Sequence, residues 1–256
     1  MPHEVQKGPP FDRTPSAALP DELNALLRER WPFCTDRIVH RAGAADAVPL
    51  IGPDAGQALV SRFERYCRSM PGEDRRGLGS LWAQWYAVTV WPPLVTGILL
   101  RGVAPRLDAP ETALLVDDDG CPIGLRVAPG NRSGDPAALL DTLADGHARP
   151  LLATIAEVTA TAPRVPWSNV ANVLGWMLGE LGAIADARTL APGYALLGRQ
   201  RLADGRTNPL YTGADCVPAT GRPPRRVCCL RYRLGGFGYC GDCPIPECGR
   251  ASNDVS

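Results

Sequence analysis

Cys228-Cys229, ten intervening residues and Cys240-Gly241-Asp242-Cys243 place four thiols within sixteen positions near the C-terminus. Thiolates are soft ligands and redox partners, so four together point to a metal centre or to disulfides. Disulfides need an oxidising compartment, and the opening residues Met1-Pro-His-Glu-Val-Gln-Lys7 lack the apolar stretch of a secretory signal. Zinc favours thiolate pairs of the C-x2-C kind, a spacing that Cys240 and Cys243 keep and the adjacent Cys228 and Cys229 do not. An iron-sulfur cluster accepts four thiolates at irregular spacings, because each iron of a 2Fe-2S unit needs two sulfurs and the rigid core sets the geometry. The iron-sulfur centre fits the spacing best, with zinc and disulfides as the alternatives.

The residues between the thiols suit such a centre. Gly235, Gly236, Gly238 and Gly241 let the backbone turn sharply and bring amide donors to sulfur. Arg225, Arg226, Arg231 and Arg233 put positive charge beside an anionic group, which raises its reduction potential; a solvated face is the plainer explanation of the same arginines. Gly236-x-Gly238-x-x-Gly241 also spells a dinucleotide fingerprint. A cysteine lies inside it, Pro244 and Pro246 follow where a helix should run, and no βαβ unit surrounds it, so the match is fortuitous.

With these residues the chain resembles the FhuF-type ferric-siderophore reductases, whose C-terminal segment reads Cys-Cys-x10-Cys-x2-Cys. Ser80-Leu-Trp-Ala-Gln-Trp-Tyr86 with Pro92-Pro93, and Trp167-Ser168-Asn169, also look like that family, the latter with serine where glycine is expected. The resemblance implies a 2Fe-2S protein that passes one electron to the iron of a hydroxamate-type siderophore complex. It assigns the ligand role to Cys228, Cys229, Cys240 and Cys243 and leaves Cys216 and Cys248 outside the site. Arg225, Arg226, Arg231 and Arg233, with Trp82, Trp85 and Trp167, are candidate substrate contacts, because aromatic faces suit a bulky, mostly apolar ligand. Hard oxygen ligands hold iron(III) strongly and iron(II) weakly, so one electron releases the metal. A ferredoxin or flavoprotein is the expected donor. The competing readings are an iron-sulfur redox-sensing or siderophore-binding module without turnover, and a zinc-stapled interaction protein.

The chain has 256 residues, and 27 basic residues balance 27 acidic ones, which leaves no basic footprint for nucleic acid. Lys7 is the only lysine, so no catalytic lysine stands in the core. His3, His40 and His147 lie in no metalloprotease or triad-like pattern, and no P-loop or nucleophile elbow is present. One redox centre without a hydride-binding fold should move single electrons.

The elements that must position this chemistry read as α+β, a mainly helical body with a small antiparallel sheet and an irregular Cys-rich C-terminal iron-sulfur segment. Residues 1–18 are expected to be poorly ordered, 19–207 to form the body, and 208–256 to carry the cluster and dock on it. Helices are expected at about 20–30, along the stripe Leu59, Phe63, Tyr66, Met70, and along Val170, Val173, Leu174, Met177, Leu178, Leu181 up to Gly182. Asp135 and Pro136 should open a helix that Gly146 closes, with further helices over 150–160 and 184–204. The run 114–127 reads as a hairpin in which Asp117-Asp-Asp-Gly120 is turn chemistry and not a metal site. Gly77–Leu100 carries no charge, yet its scattered polar residues and Pro92-Pro93 predict two buried helices with a break between them rather than a membrane span. Stable membrane insertion is not expected. The expected location is the cytoplasm, at most peripheral to the inner face of the membrane. Cys34, Cys67 and Cys121 are expected to be packing residues.

Overall fold

The computed structural model describes residues 21–40, 46–71, 73–202, 204–212 and 225–245; the expectations for 1–18, Cys216 and Cys248 lie outside these. Helices α1 (Asp21–Arg30), α2 (Ala55–Ser69), α3 (Arg75–Arg101), α4 (Pro136–Asp141), α5 (Arg149–Val158), α6 (Arg164–Leu181) and α7 (Ala187–Gly198) dominate. Strands β1 (Ile38–Val39), β2 (Asp46–Pro49), β4 (Ala113–Val116) and β5 (Pro122–Arg126) form one sheet in the order β1-β5-β4-β2. Strands β3 (Val103–Pro105) and β6 (Asn131–Ser133) pair separately.

α3 is the axis of the fold. Asp74 caps it by accepting from the Gly77 amide at 2.9 Å, and Gly102 ends it with a left-handed φ of 61°. It packs on α6, on the sheet through β5, and on α2, α4, α5 and α7. The expected break at Pro92-Pro93 is absent: α3 is one helix of 27 residues with both prolines buried. Each proline costs about 3 kcal/mol in a helix interior. Burying Trp91, Leu94, Val95 and Ile98 on the neighbouring layers returns about 1.5–3 kcal/mol each, which is enough to offset two interruptions. Among the described residues no helix is long and apolar enough to cross a membrane.

The hairpin β4–β5 forms as expected, with Leu114 opposite Leu125 and a bulge at Leu115/Val116. Asp117 Oδ1 accepts from the amides of Asp119 and Cys121, so the aspartates serve the turn. The sheet is mixed rather than purely antiparallel, because β1 runs parallel to β5. A hairpin delivers only antiparallel neighbours, whereas β1 reaches β5 through the long connection that includes α2 and α3. α7 is shorter than expected, since Asp186 caps it by accepting from Thr189 N at 2.8 Å.

Asp135 and Pro136 open α4 as expected, but Gly146 does not close the helical run. The chain continues through a π-helical turn, Thr142–Ala148, directly into α5. Asp145 within this turn pairs with Arg149 and Arg206, and Asp141 before it pairs with Arg199. The turn buries His147, which is 4% exposed, faces the Tyr86 ring at 6.0 Å and lines a small, half-open pocket between α2 and α5. Its Nε2 has no hydrogen-bond partner among the described residues, and burial pulls the imidazole down to about 4. The unfolded chain protonates this ring near pH 6.5, so the stability it confers is complete above roughly that pH and is lost as the pH falls towards 4. The loss is on the order of 3 kcal/mol. His147→Phe should therefore lose less stability than the parent between about pH 7 and pH 4 in thermal melts. Parallel loss in both proteins would contradict this role.

Candidate metal centre in the cysteine segment

Residues 225–245 contain one 3-10 turn, Arg231–Arg233, and owe their position to α3 and α6. Leu234, 3% exposed, lies against Gly77 in the first turn of α3. A Cβ at Gly77 would stand 2.7 Å from Leu234 Cδ2, so glycine there permits the close approach. Both carboxylate oxygens of Glu73 accept from Gly235 N, at 2.9 and 2.8 Å. Arg233 pairs at 3.3 Å with Asp74, the cap of α3.

On α6, Ser168 Oγ donates to Val227 O at 3.2 Å. Asn169, fully buried, donates to Ser80 O and Oγ on α3 at 2.8 and 2.9 Å and accepts from Arg225 Nη1 at 2.6 Å. Asn172, with its amide oriented to satisfy both neighbours, accepts from Arg225 Nη2 at 2.8 Å and donates to Asp242 Oδ2 at 2.6 Å. Arg225 also donates to Asp242 through its backbone N (2.9 Å, to the carbonyl) and its Nε (3.4 Å, to the carboxylate). The segment is thus fastened to the N-terminal halves of two helices.

The sulfurs of Cys229 and Cys240 stand 3.7 Å apart. Two thiolates on one tetrahedral metal, with bonds of about 2.3 Å, lie about 3.75 Å apart, so this pair has the separation of ligands sharing one ion. Cys228 accepts from Leu230 N at 3.4 Å, and its side chain interacts with that of Cys243. The four thiols are therefore two pairs, none in a disulfide, and no three potential ligands converge on one point among the described residues. Zinc would require all four around a single point, whereas a 2Fe-2S cluster takes two thiolates on each of two irons. The donor set fits the cluster.

Electrostatics favour the thiolate form where the segment is most enclosed. The hydrogen bond from Cys240 pulls the Cys229 thiol down to about 6, supported by the Arg231 amide and the charges of Arg225 and Arg231 and opposed by burial. The same bond raises Cys240, and burial raises Cys228. Elsewhere, burial pushes Cys34 up to about 12 and raises Cys67 and Cys121, which keeps these three as inert protonated thiols in the packing.

The other sequence candidates separate into two groups. Arg226 is exposed and lies over the Tyr211 ring at 5.5 Å, Arg231 lies over Phe237 at 5.7 Å, and Tyr232 stacks on Tyr239 at 5.0 Å. With the exposed Arg233 they put aromatic and cationic groups in the same short segment as the thiols, apart from Tyr211, which precedes it. Arg225 is turned inward. Trp82 is fully buried, donating to Gly120 O at 2.9 Å and meeting Phe63 edge-on; Trp167 is 5% exposed under Arg149; Trp85 is half-buried against the core. Glu73, Gly77, Asn169 and Asn172 position the segment without having been singled out for that role by sequence. Two asparagines three apart on the mainly apolar α6 are the available signal.

Residues 80–217, more than half of the chain, match the family described as ferric iron reductase FhuF-like transporter. Residues 225–244 match the FhuF 2Fe-2S C-terminal domain. The chain is 27% identical over 182 residues to the ferric siderophore reductase of Escherichia coli (strain K12), spanning 67% of each protein. The ATP-bound aerobactin synthetase IucA from a hypervirulent pathotype of Klebsiella pneumoniae is similar over 65% of this chain and 37% of that one, at 16% identity and a TM-score of 0.47.

Proposed function

Because the chain belongs to the FhuF-like ferric iron reductase family and carries its 2Fe-2S domain, we propose that it reduces the iron(III) of a hydroxamate-type siderophore complex and releases iron(II) in the cytoplasm. The observation that carries this is the pair of thiol pairs fastened to α3 and α6 within a segment that also presents arginine and aromatic side chains. Cys229 and Cys240 would hold one iron, and Cys228 and Cys243 the other. When bound, the cluster supplies one electron, which converts substrate iron(III) to iron(II).

Residues 19–207 serve as the body and 208–256 as the cluster-bearing segment. Arg226, Arg231 and Arg233 donate hydrogen bonds to the hydroxamate oxygens, and the rings of Phe237, Tyr232 and Tyr239 cover its apolar surface. Trp82 and Trp167 have their faces covered by the core and stay outside the contact. Once reduced, iron is held weakly by hard oxygen donors and leaves. A ferredoxin or flavoprotein restores the electron.

Chemically reduced protein mixed anaerobically with ferric hydroxamates and an iron(II) trap tests this. The cluster should re-oxidise with release of about one iron(II) per chain, and faster than with an inorganic oxidant of similar potential. If no ferric chelate outpaces that oxidant, the substrate assignment fails and the redox-sensing reading replaces it.

A further inference from the structure

Arg225 differs from the other arginines of the cysteine segment in being enclosed. Its side chain is 6% exposed, against 33% for Arg233. Asn169 and Asn172 each accept from one of its terminal nitrogens, while Asp242, between two of the four cysteines, takes its backbone N–H and its Nε. Its charge acts on both Cys229 and Cys240, whereas that of Arg231 acts on Cys229, and the Asp242 carboxylate opposes Arg225 at Cys240 with the smaller effect. A guanidinium held in place by hydrogen bonds to Asn169, Asn172 and Asp242 presents a fixed charge. Solvent screening reduces the influence of exposed charges far more than that of an enclosed one.

We propose that Arg225, clamped by Asn169 and Asn172, is the residue that sets the reduction potential of the cluster, with the exposed Arg226 and Arg233 contributing little to it. A fixed positive charge stabilises the extra electron of the reduced state, so the potential rises. Asn169 then has a defined task. By bonding Ser80 on α3 and Arg225 together, it transmits the α3–α6 packing to the position of that charge. Arg225 is a positioning and tuning residue, not a substrate contact.

The inference rests on the four-cysteine assignment, but its test needs no siderophore, so its failure is distinct from failure of the substrate assignment. Redox titration followed by the EPR signal of the reduced cluster gives the midpoint potential. In Arg225→Gln the reduced-to-oxidised ratio at a fixed ambient potential should fall about tenfold, or about 59 mV for one electron. Arg225→Lys and Arg226→Gln should stay within about threefold of the parent ratio. The parent protein should likewise shift less than about threefold between about 0.01 M and 1 M salt, because the charge that matters is enclosed. An unchanged potential in Arg225→Gln overturns the proposal. Should that variant fail to hold a cluster, the salt series on the parent decides, and a tenfold fall there assigns the potential to the exposed arginines instead.

Discussion

Cys229→Ser and Cys240→Ser, purified anaerobically, are expected to be colourless and to retain less than about a tenth of the parent iron. These two sulfurs stand 3.7 Å apart and form the more enclosed thiol pair. A serine hydroxyl does not ionise near neutral pH and cannot replace a thiolate whose neighbours pull it down to about 6. Loss of the metal should also release the segment, since residues 225–245 have little regular structure of their own. Limited proteolysis should then cut within the segment while the helical body survives. Cys34→Ser, Cys67→Ser and Cys121→Ser, away from the pairs, should keep their iron. Full iron content in both Cys229→Ser and Cys240→Ser would remove this pair from the site.

The largest effect on stability is expected from Gly120→Ala. Gly120 closes the β4–β5 turn at a φ of 84°, and a Cβ there would stand 2.2 Å from Arg62 O in the backbone of α2. The left-handed conformation alone costs about 1–2 kcal/mol for alanine. Contact with a carbonyl adds more, because the hairpin must move off α2 and strain the hydrogen bond that Trp82 makes to Gly120 O. A total of about 4 kcal/mol would lower Tm by roughly 8–16 °C. Gly130 is the control: its φ is 90°, yet nothing lies within 4 Å of the added atom, so Gly130→Ala should lose only about 1–2 kcal/mol. Equal losses in the two variants would mean that the hairpin does not rest on α2 as described.

What the sequence reveals of this fold follows from how local each cause is. α2 and α6 are legible because their apolar stripes repeat at the helical period, and the hairpin because Asp117 and Gly120 carry their own turn chemistry. Pro92-Pro93 misleads because the packing that keeps α3 continuous comes from α6 and β5, remote in the chain. Gly146 misleads for a related reason: the π turn is braced by Arg199 and Arg206, more than fifty residues away. The parallel pairing of β1 leaves no mark on its two residues, Ile38 and Val39.

At the site, the four cysteines announce themselves as a group because metal chemistry demands a residue type at close spacing. The clamp of Asn169, Asn172 and Asp242 on Arg225 does not, because it joins α6 to a segment more than fifty residues later. Gly77 is equally silent. Its role exists only once Leu234 is packed against it.

Iron, zinc and acid-labile sulfide measured on one anaerobically purified sample, with its EPR spectrum before and after one-electron reduction, test most directly that the two thiol pairs hold a 2Fe-2S cluster. About two irons and two sulfides per chain are predicted, with an EPR signal that appears only on reduction. Stoichiometric zinc without sulfide, and no signal in either state, would contradict the assignment.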